Sequence, residues 1–374
     1  DVNGGHVGGG WCDIGAYCGE PGDEVHETIH SLSQSASAGG YTAVAIFSND
    51  SRPFDNRHII SDIKSRGERG VSIIPIGAVS KRLDGEELAE MIDISSVSPA
   101  LFTDGFYRSF DNAMLSKAME YAAQFEGVIL TIPGSTRRLK QGQVNESAVS
   151  ARMGLPGLPG YEEVATLSGE LSLASYSKAT LFAHLVSHGE SLDQLRMRRE
   201  QGLSVWSSVS AMHLMHTEQD VADYNENFKI LPPLRSDDDR IQMIEGLQSG
   251  IIDMVVSNHR PVSFEQKEKE FGASPFGAIG LETTFLSLVT AIPDVGPEDV
   301  SRWLSDNPRK ALGHSAISIA KGQPANLSLF SLSGETNYKR THTNSQSRNT
   351  PYREKSFAGR VIGTVLGNQL YLRK

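Results

Sequence analysis

Thr42-Ala43-Val44-Ala45-Ile46-Phe47 is followed, after one helix-length stretch, by Val71-Ser72-Ile73-Ile74-Pro75-Ile76. Both runs are apolar nearly throughout, as expected of parallel strands covered by helices on both faces. Outward from this pair, further short β-rich runs lie at Trp11–Ile14, Pro99–Phe102, Val128–Ile132, Ala179–Ala183, Ser204–Val209 and Ile252–Ser257. Helical patterns separate or follow them at Glu24–Ala38, Ile59–Arg66, Glu86–Ile94, Ala113–Gln124, Tyr161–Ala174, Leu192–Gln201, Asp238–Ser249, Leu281–Ala291 and Pro297–Ser305. Pro297 suits a first helical turn, and Asp237 to Asp239 suit a helix N-terminus. This alternation predicts an α/β fold, a (β/α)8 TIM-like barrel. The competing doubly wound sheet would place Gly-x-Gly-x-x-Gly after the first strand, and none stands there.

After about residue 320 the pattern changes. Asn326–Phe330 and Arg360–Tyr371 read as strands, the latter around a Gly367-Asn368 turn, with Ser331–Arg353 a polar loop between them. The predicted division is a barrel over 11–320 and a small β-sandwich remnant over 1–10 plus 321–374, formed mainly by the C-terminal tail.

The 374 residues include 35 Lys plus Arg against 45 Asp plus Glu, a net charge of −10. Phosphate binding needs clustered positive charge, so no nucleic-acid partner is expected. Arg137-Arg138-Leu139-Lys140 and Arg196-Met197-Arg198-Arg199 are short and read as solvated faces. No run of 18 apolar residues exists, so no membrane span is expected, and Asp1 to His6 does not read as a signal peptide. Two cysteines, Cys12 and Cys18, make a reducing cytoplasm the default and read as buried or idle thiols. The Asn-x-Ser triplets at Asn49, Asn145 and Asn326 are then chance matches.

In a barrel, chemistry sits on the loops after the strands. Those loops carry Asp13 to Gly22, Phe47-Ser48-Asn49, Phe102-Thr103-Asp104-Gly105, Thr131-Ile132-Pro133-Gly134, Ala183-His184-Leu185 and Ser257-Asn258-His259-Arg260-Pro261. With Glu20-Pro21-Gly22, Asn145-Glu146-Ser147 through Gly157, Asn227-Phe228-Lys229, Pro232-Pro233-Leu234-Arg235, Pro275 through Thr283 and Ser347 through Pro351, the chain resembles the dihydroorotases of the amidohydrolase superfamily. It is less similar to allantoinases and hydantoinases. The resemblance implies a barrel with a β-sandwich built from both chain ends, and a zinc-activated water that hydrolyses or closes a cyclic amide.

Several positions depart from the family pattern. The His-x-His after the first strand is Gly15 and Tyr17, the carboxylate-gripping Arg is Gly19, a later His is Ile132, and the Asp that ligates metal and acts as general base is Asn258. Asp104 and His184 survive as vestigial ligand positions. Zinc needs three or more N, O or S donors at short range. Glycine and isoleucine have none, and an amide cannot serve as a base at neutral pH. No cofactor is therefore expected, and zinc only if the chain is active. Asn49, Asn258, His259, Arg260 and Gly277 are candidate pocket residues. Arg260 is a candidate replacement for the charge lost at Gly19, with Tyr17 and Ile132 refilling the former pocket.

Other motifs weigh less. His26-Glu27-Thr28-Ile29-His30 matches the zinc-protease pattern, but its predicted helix belongs to the outer ring and no third ligand follows, so it reads as a chance match or surface face. His213 and His216 read as core or rim histidines, and His184 and His188 as parts of a strand-to-helix loop. The Gly-rich start and Leu155-Pro156-Gly157 lack a phosphate loop's context.

The resemblance implies a non-catalytic partner associated with aspartate transcarbamoylase, and family members are commonly homodimers. The alternatives are an active amidohydrolase interconverting carbamoyl aspartate and dihydroorotate through an unusual site, and a sensor that binds a ureido acid without turnover.

Overall fold

The computed structural model describes every residue except 1, 3, 50, 68–69, 107–110, 135–140 and 374. The basic cluster Arg137–Lys140 lies outside the described residues. Strand β1 is His6–Gly9, and the predicted strands follow as β2 (Trp11–Tyr17), β3 (Tyr41–Phe47), β4 (Ser72–Pro75), β5 (Leu101–Phe102) and β6 (Val128–Thr131). A short parallel pair, β7 (Val144–Asn145) and β8 (Gly157–Leu158), precedes β9 (Thr180–Ala183), β10 (Val205–Ser210) and β11 (Met254–Val256). The parallel ladder runs β2–β3–β4 and β5–β6–β9–β10–β11. A bridge from Gly77 to Phe102 joins the two arcs.

The remaining seam is closed by a main-chain bond from Tyr17 N to His259 O (2.8 Å) and by side-chain bonding. Asp13 on β2 is fully buried, and its carboxylate accepts from Ser257 N (2.7 Å) and Ser257 Oγ (2.6 Å) just beyond β11. Burial pushes the Asp13 carboxyl up to about 6, against the Ser257 hydrogen bonds that favour its charged form. Inside the ring, Ile14, Phe47, Leu130, Phe182 and Met254 share one apolar cluster. Burying each such side chain stabilises by about 1.5–3 kcal/mol. Among the described residues no helix is long and apolar enough to cross a membrane.

Three sequence expectations need correction. The first helix begins at Ile29, where Thr28 caps it by accepting from Ser31 N, so Glu24 to Glu27 are loop. The stretch Glu86–Ile94 is helical only over Met91–Ser95, because Ser80 bridges Leu88 and draws the preceding residues into a loop. Arg199 is half-buried rather than on a solvated face: it donates to Gly250 O, Ile251 O and the Asp253 carboxylate, tying its helix to the lower end of the barrel.

The tail also differs from expectation. Strand β12 (Asn326–Lys339) continues far into the stretch read as polar loop, and pairs with β13 (Glu354–Leu366), then β14 (Gln369–Leu372). A register shift between Ser331 and Glu335, with Gly334 at φ +87, lets the ladder resume after the interruption. The Gly-rich start supplies β1, which pairs antiparallel with β12 from His6–Phe330 to Gly9–Leu327. The described strands form one four-stranded antiparallel sheet here. Trp11, Phe285 and Phe330, with ring centroids 4.9–5.5 Å apart, join it to the barrel.

Candidate functional site

The strand ends open into a cleft of about 670 Å³, lined by residues including Tyr17, Asn49, Arg82, Asp104, Phe106 and Arg260. It therefore stands where the chemistry of a (β/α)8 barrel belongs. Its floor is aromatic. Tyr17 meets Phe47 edge-on (5.1 Å) and stacks with Phe106 (6.0 Å), and the Arg260 guanidinium lies over Tyr17 (4.9 Å) and Phe106 (5.1 Å).

His184 lies beneath this layer, fully buried, with its ring edge-on to Phe47 (5.6 Å) and Phe182 (5.5 Å). Its Nδ1 shares a hydrogen bond with Ser208 Oγ (2.9 Å), and its Nε2 has no hydrogen-bond partner among the described residues. Burial lowers the imidazole to about 3, so it is neutral at physiological pH. A Cβ on Gly15 would stand 2.4 Å from that Nε2 and 3.0 Å from Phe47. Gly15 itself adopts φ +91. Glycine is therefore required there both sterically and conformationally.

Asp104 reaches the cleft wall, but its carboxylate is engaged elsewhere. It accepts from Val79 N (2.8 Å), Ser80 N (3.0 Å) and Ser80 Oγ (2.5 Å), organising the loop after β4. Burial pushes its carboxyl upward, and the Ser80 bonds oppose that shift. Ile132 belongs to the apolar cluster inside the barrel. Among the described residues, no three His, Cys, Asp or Glu side chains are grouped to hold a metal ion. The family's zinc does not fit these residues: one imidazole faces aromatic edges, and one carboxylate is already held by three donors.

Asn49 and Arg260 line the cleft. The Asn49 amide, however, is spent on the loop after β2, donating to Gly19 O (3.1 Å) and Pro21 O (3.0 Å) while accepting from Arg52 N (2.8 Å). The other three pocket candidates stand outside the cleft wall. Asn258, at φ +48, is buried and donates to Leu231 O (2.9 Å). Gly277 lets its loop pass over Arg260, where an added Cβ would lie 2.7 Å from the Arg260 carbonyl oxygen.

His259 turns away from the cleft toward Glu27. Its Nδ1 accepts from Gly280 N (3.1 Å), so Nε2 carries the proton and donates to Glu27 Oε2 (3.3 Å). Both side chains are buried, and Glu27 also accepts from Gln346 N (3.0 Å) and from the Ser31 and Ser345 hydroxyls. The protease-like motif thus separates. His26 pairs with Asp23, His30 meets Gln34, and the expected surface glutamate is a buried link between the first loop and the C-terminal tail. Its buried role left no signal in the sequence beyond that false motif.

The most specific stretches are mainly structural. Arg235 donates to Asn145 Oδ1 (2.8 Å), Leu158 O (3.0 Å) and Ser187 Oγ (3.1 Å), and pairs with Glu163 (3.5 Å) in a buried network above β9. Lys229 donates to Phe271 O (2.7 Å) between the Phe271 and Phe276 rings. Desolvation lowers its ammonium to about 8. Asn349 holds the loop after β11 through Arg260 O (2.9 Å) and Val262 N (3.1 Å). His216 is satisfied by Tyr352 and Asp220, and His213 is a buried neutral imidazole lowered to about 4 by desolvation. Cys12 and Cys18 are buried free thiols, raised by desolvation, Cys12 to about 12.

The fold is shared with two solved structures. One is the dihydropyrimidinase from Brevibacillus agri NCHU1002 (TM-score 0.82, 16% identity, covering 100% of this chain and 86% of that one). The other is the L-hydantoinase from Arthrobacter aurescens (TM-score 0.83, 18% identity, covering 100% and 87%). At these identities the likeness is one of fold. In sequence, the family described as dihydro-orotase-like matches residues 7–190. A dihydroorotase of Caldicellulosiruptor saccharolyticus is 32% identical across 100% of this chain and 88% of its own length. One of Leifsonia xyli subsp. xyli is 31% identical across 95% and 83%. The chain belongs to the dihydroorotase family of the amidohydrolase superfamily.

Proposed function

We propose that this dihydroorotase homologue does not turn over a cyclic amide and serves pyrimidine synthesis as a structural or regulatory partner. Aspartate transcarbamoylase is the candidate partner, a homodimer the working assembly and the cytoplasm its location. The small sheet is read as the remnant of the family's sandwich, with 11–320 as the barrel and 1–10 plus 321–374 as the second unit.

One observation carries the reading. Where the family places its metal ligands, Gly15, Tyr17, Ile132 and Asn258 offer no set of donors, and the Nε2 of His184 is closed in by Gly15 and the Phe47 ring. A water left without a Lewis acid keeps a pKa of about 15.7 and stays a poor nucleophile. Asn258 can neither take its proton nor leave Leu231 O without losing a buried hydrogen bond.

The test is elemental analysis of the purified chain, with turnover of carbamoyl aspartate and of dihydroorotate measured with and without added zinc. The expected result is substoichiometric zinc and no turnover above the uncatalysed rate. Stoichiometric zinc with turnover would establish the active amidohydrolase instead. Co-purification with the transcarbamoylase of the same source tests the partner; no association would remove that role.

The open cleft favours one further reading, a sensor of a ureido acid. The Arg260 guanidinium, stacked on Tyr17 and Phe106, supplies positive charge beside room for a small molecule. Calorimetry with dihydroorotate and carbamoyl aspartate tests it, and absence of heat at millimolar ligand would refute it.

A further inference from the structure

A second cleft lies at the opposite end of the barrel. It is an open groove of about 1110 Å³, and its wall includes Ser72 at the start of β4 and Pro99 just before β5. Eight described lining residues carry polar side chains, and six of these are bases or amides. Lys64 comes from the helix Arg57–Ser65, Arg309 from the helix Asn307–Ala311, and His314 from the loop beyond. Asn326 opens β12, Asn368 forms the turn before β14, and Gln369 begins β14.

No described lining residue is an aspartate or glutamate. In a chain of net charge −10, the charge-bearing side chains among the described lining residues are the two cations Lys64 and Arg309, with His314 beside them. Such a concave surface concentrates anions.

Both cations are tied to main-chain carbonyls. Arg309 is buried and donates to Gly10 O (2.8 and 3.1 Å) and Thr42 Oγ1 (3.2 Å). Lys64 donates to Val97 O (2.9 Å). The neighbouring fields converge on His314: after desolvation, Arg309 and Lys64 are what hold its imidazole below the usual range.

We infer that this second cleft, remote from the strand-end site, binds a phosphate-bearing small molecule. Donors spread around a wide wall suit a head group with several acceptor oxygens, and the volume admits a body of nucleotide size. The inference does not depend on whether the strand-end cleft is catalytic.

The test follows the His314 ring by NMR across pH, with pyrophosphate as probe. Sodium chloride at matched ionic strength and succinate serve as comparisons. A bound polyanion offsets the field of Lys64 and Arg309, so the His314 midpoint should rise by roughly one unit. Lys64→Gln, at an exposed position, should leave the fold intact and weaken pyrophosphate binding about tenfold, read by calorimetry. An equal rise with chloride would mean screening alone and overturn the site. So would an unchanged affinity in Lys64→Gln. A response to succinate without one to pyrophosphate would overturn the assignment to phosphate.

Discussion

Replacing Gly15 by alanine tests the packing that closes the strand-end site. The new Cβ would sit 2.4 Å from His184 Nε2, 2.8 Å from its Cε1 and 3.0 Å from Phe47. Neither ring can retreat easily, because both are buried. Overpacking of this kind costs about 1–3 kcal/mol, and holding a side chain at φ +91 adds about 1–2 kcal/mol. The expected loss is therefore about 2–5 kcal/mol, a large share of the roughly 5–15 kcal/mol that holds a domain together. Urea unfolding, followed by fluorescence of buried Trp11 and Trp303, would read it as a lower midpoint. The discriminating step is the double variant with His184→Ala, which removes the clash but leaves the backbone strain. The two substitutions should be non-additive by about 1–3 kcal/mol, the pair being less damaging than the sum. Additivity to within about 0.5 kcal/mol, or an unchanged midpoint in Gly15→Ala, would show that Gly15 and His184 do not share one crowded space.

Other outcomes are open to direct measurement. Glu163→Ala leaves buried Arg235 without its carboxylate and should cost about 3–5 kcal/mol in urea unfolding, whereas an exposed pair such as Arg302–Asp299 should cost under about 1 kcal/mol. Asn258→Asp places a carboxylate against Leu231 O in place of a donor, and should lower stability by about 1–3 kcal/mol without creating turnover; an active variant would contradict the packing argument. His184 and His213 sit below their unfolded values, at about 3 and about 4, so the unfolded chain binds more protons as pH falls below about 6.5. Stability should then fall from pH 6.5 toward 4. Asp13, raised to about 6, works the other way between about pH 4 and 6, since its extra proton favours the folded state. Removing the imidazole in His184→Gln should flatten the acid limb of a stability–pH profile, and an unchanged slope would refute its neutral burial.

The barrel was legible because its strands are apolar on both faces, a pattern that needs no partner information. The small sheet was less so. Ser331–Lys339 is polar and mostly exposed, and β1 is largely glycine, so neither shows the alternation that marks a half-buried strand. Asn49, Asp104 and Arg260, which line the cleft, all stand just after predicted strands in the sequence. His259 and Asn258 could not be oriented, because one residue of backbone rotation decides whether a side chain faces the cleft or the shell. Glu27 was hidden by its neighbours: it reads as a helix-surface glutamate until the helix is seen to begin two residues later, at a Thr28 cap.

The bonds from Glu27 to Ser345 and Gln346, and from Asn349 to Arg260 and Val262, stitch the last part of the polypeptide to the rim of the cleft. Synthesis reaches the first loop long before it reaches Asn349. During translation, the barrel staves can therefore assemble while the mouth is still slack, and its final shape must wait for the tail to arrive. A nascent chain stalled short of that point would present a barrel without a finished mouth.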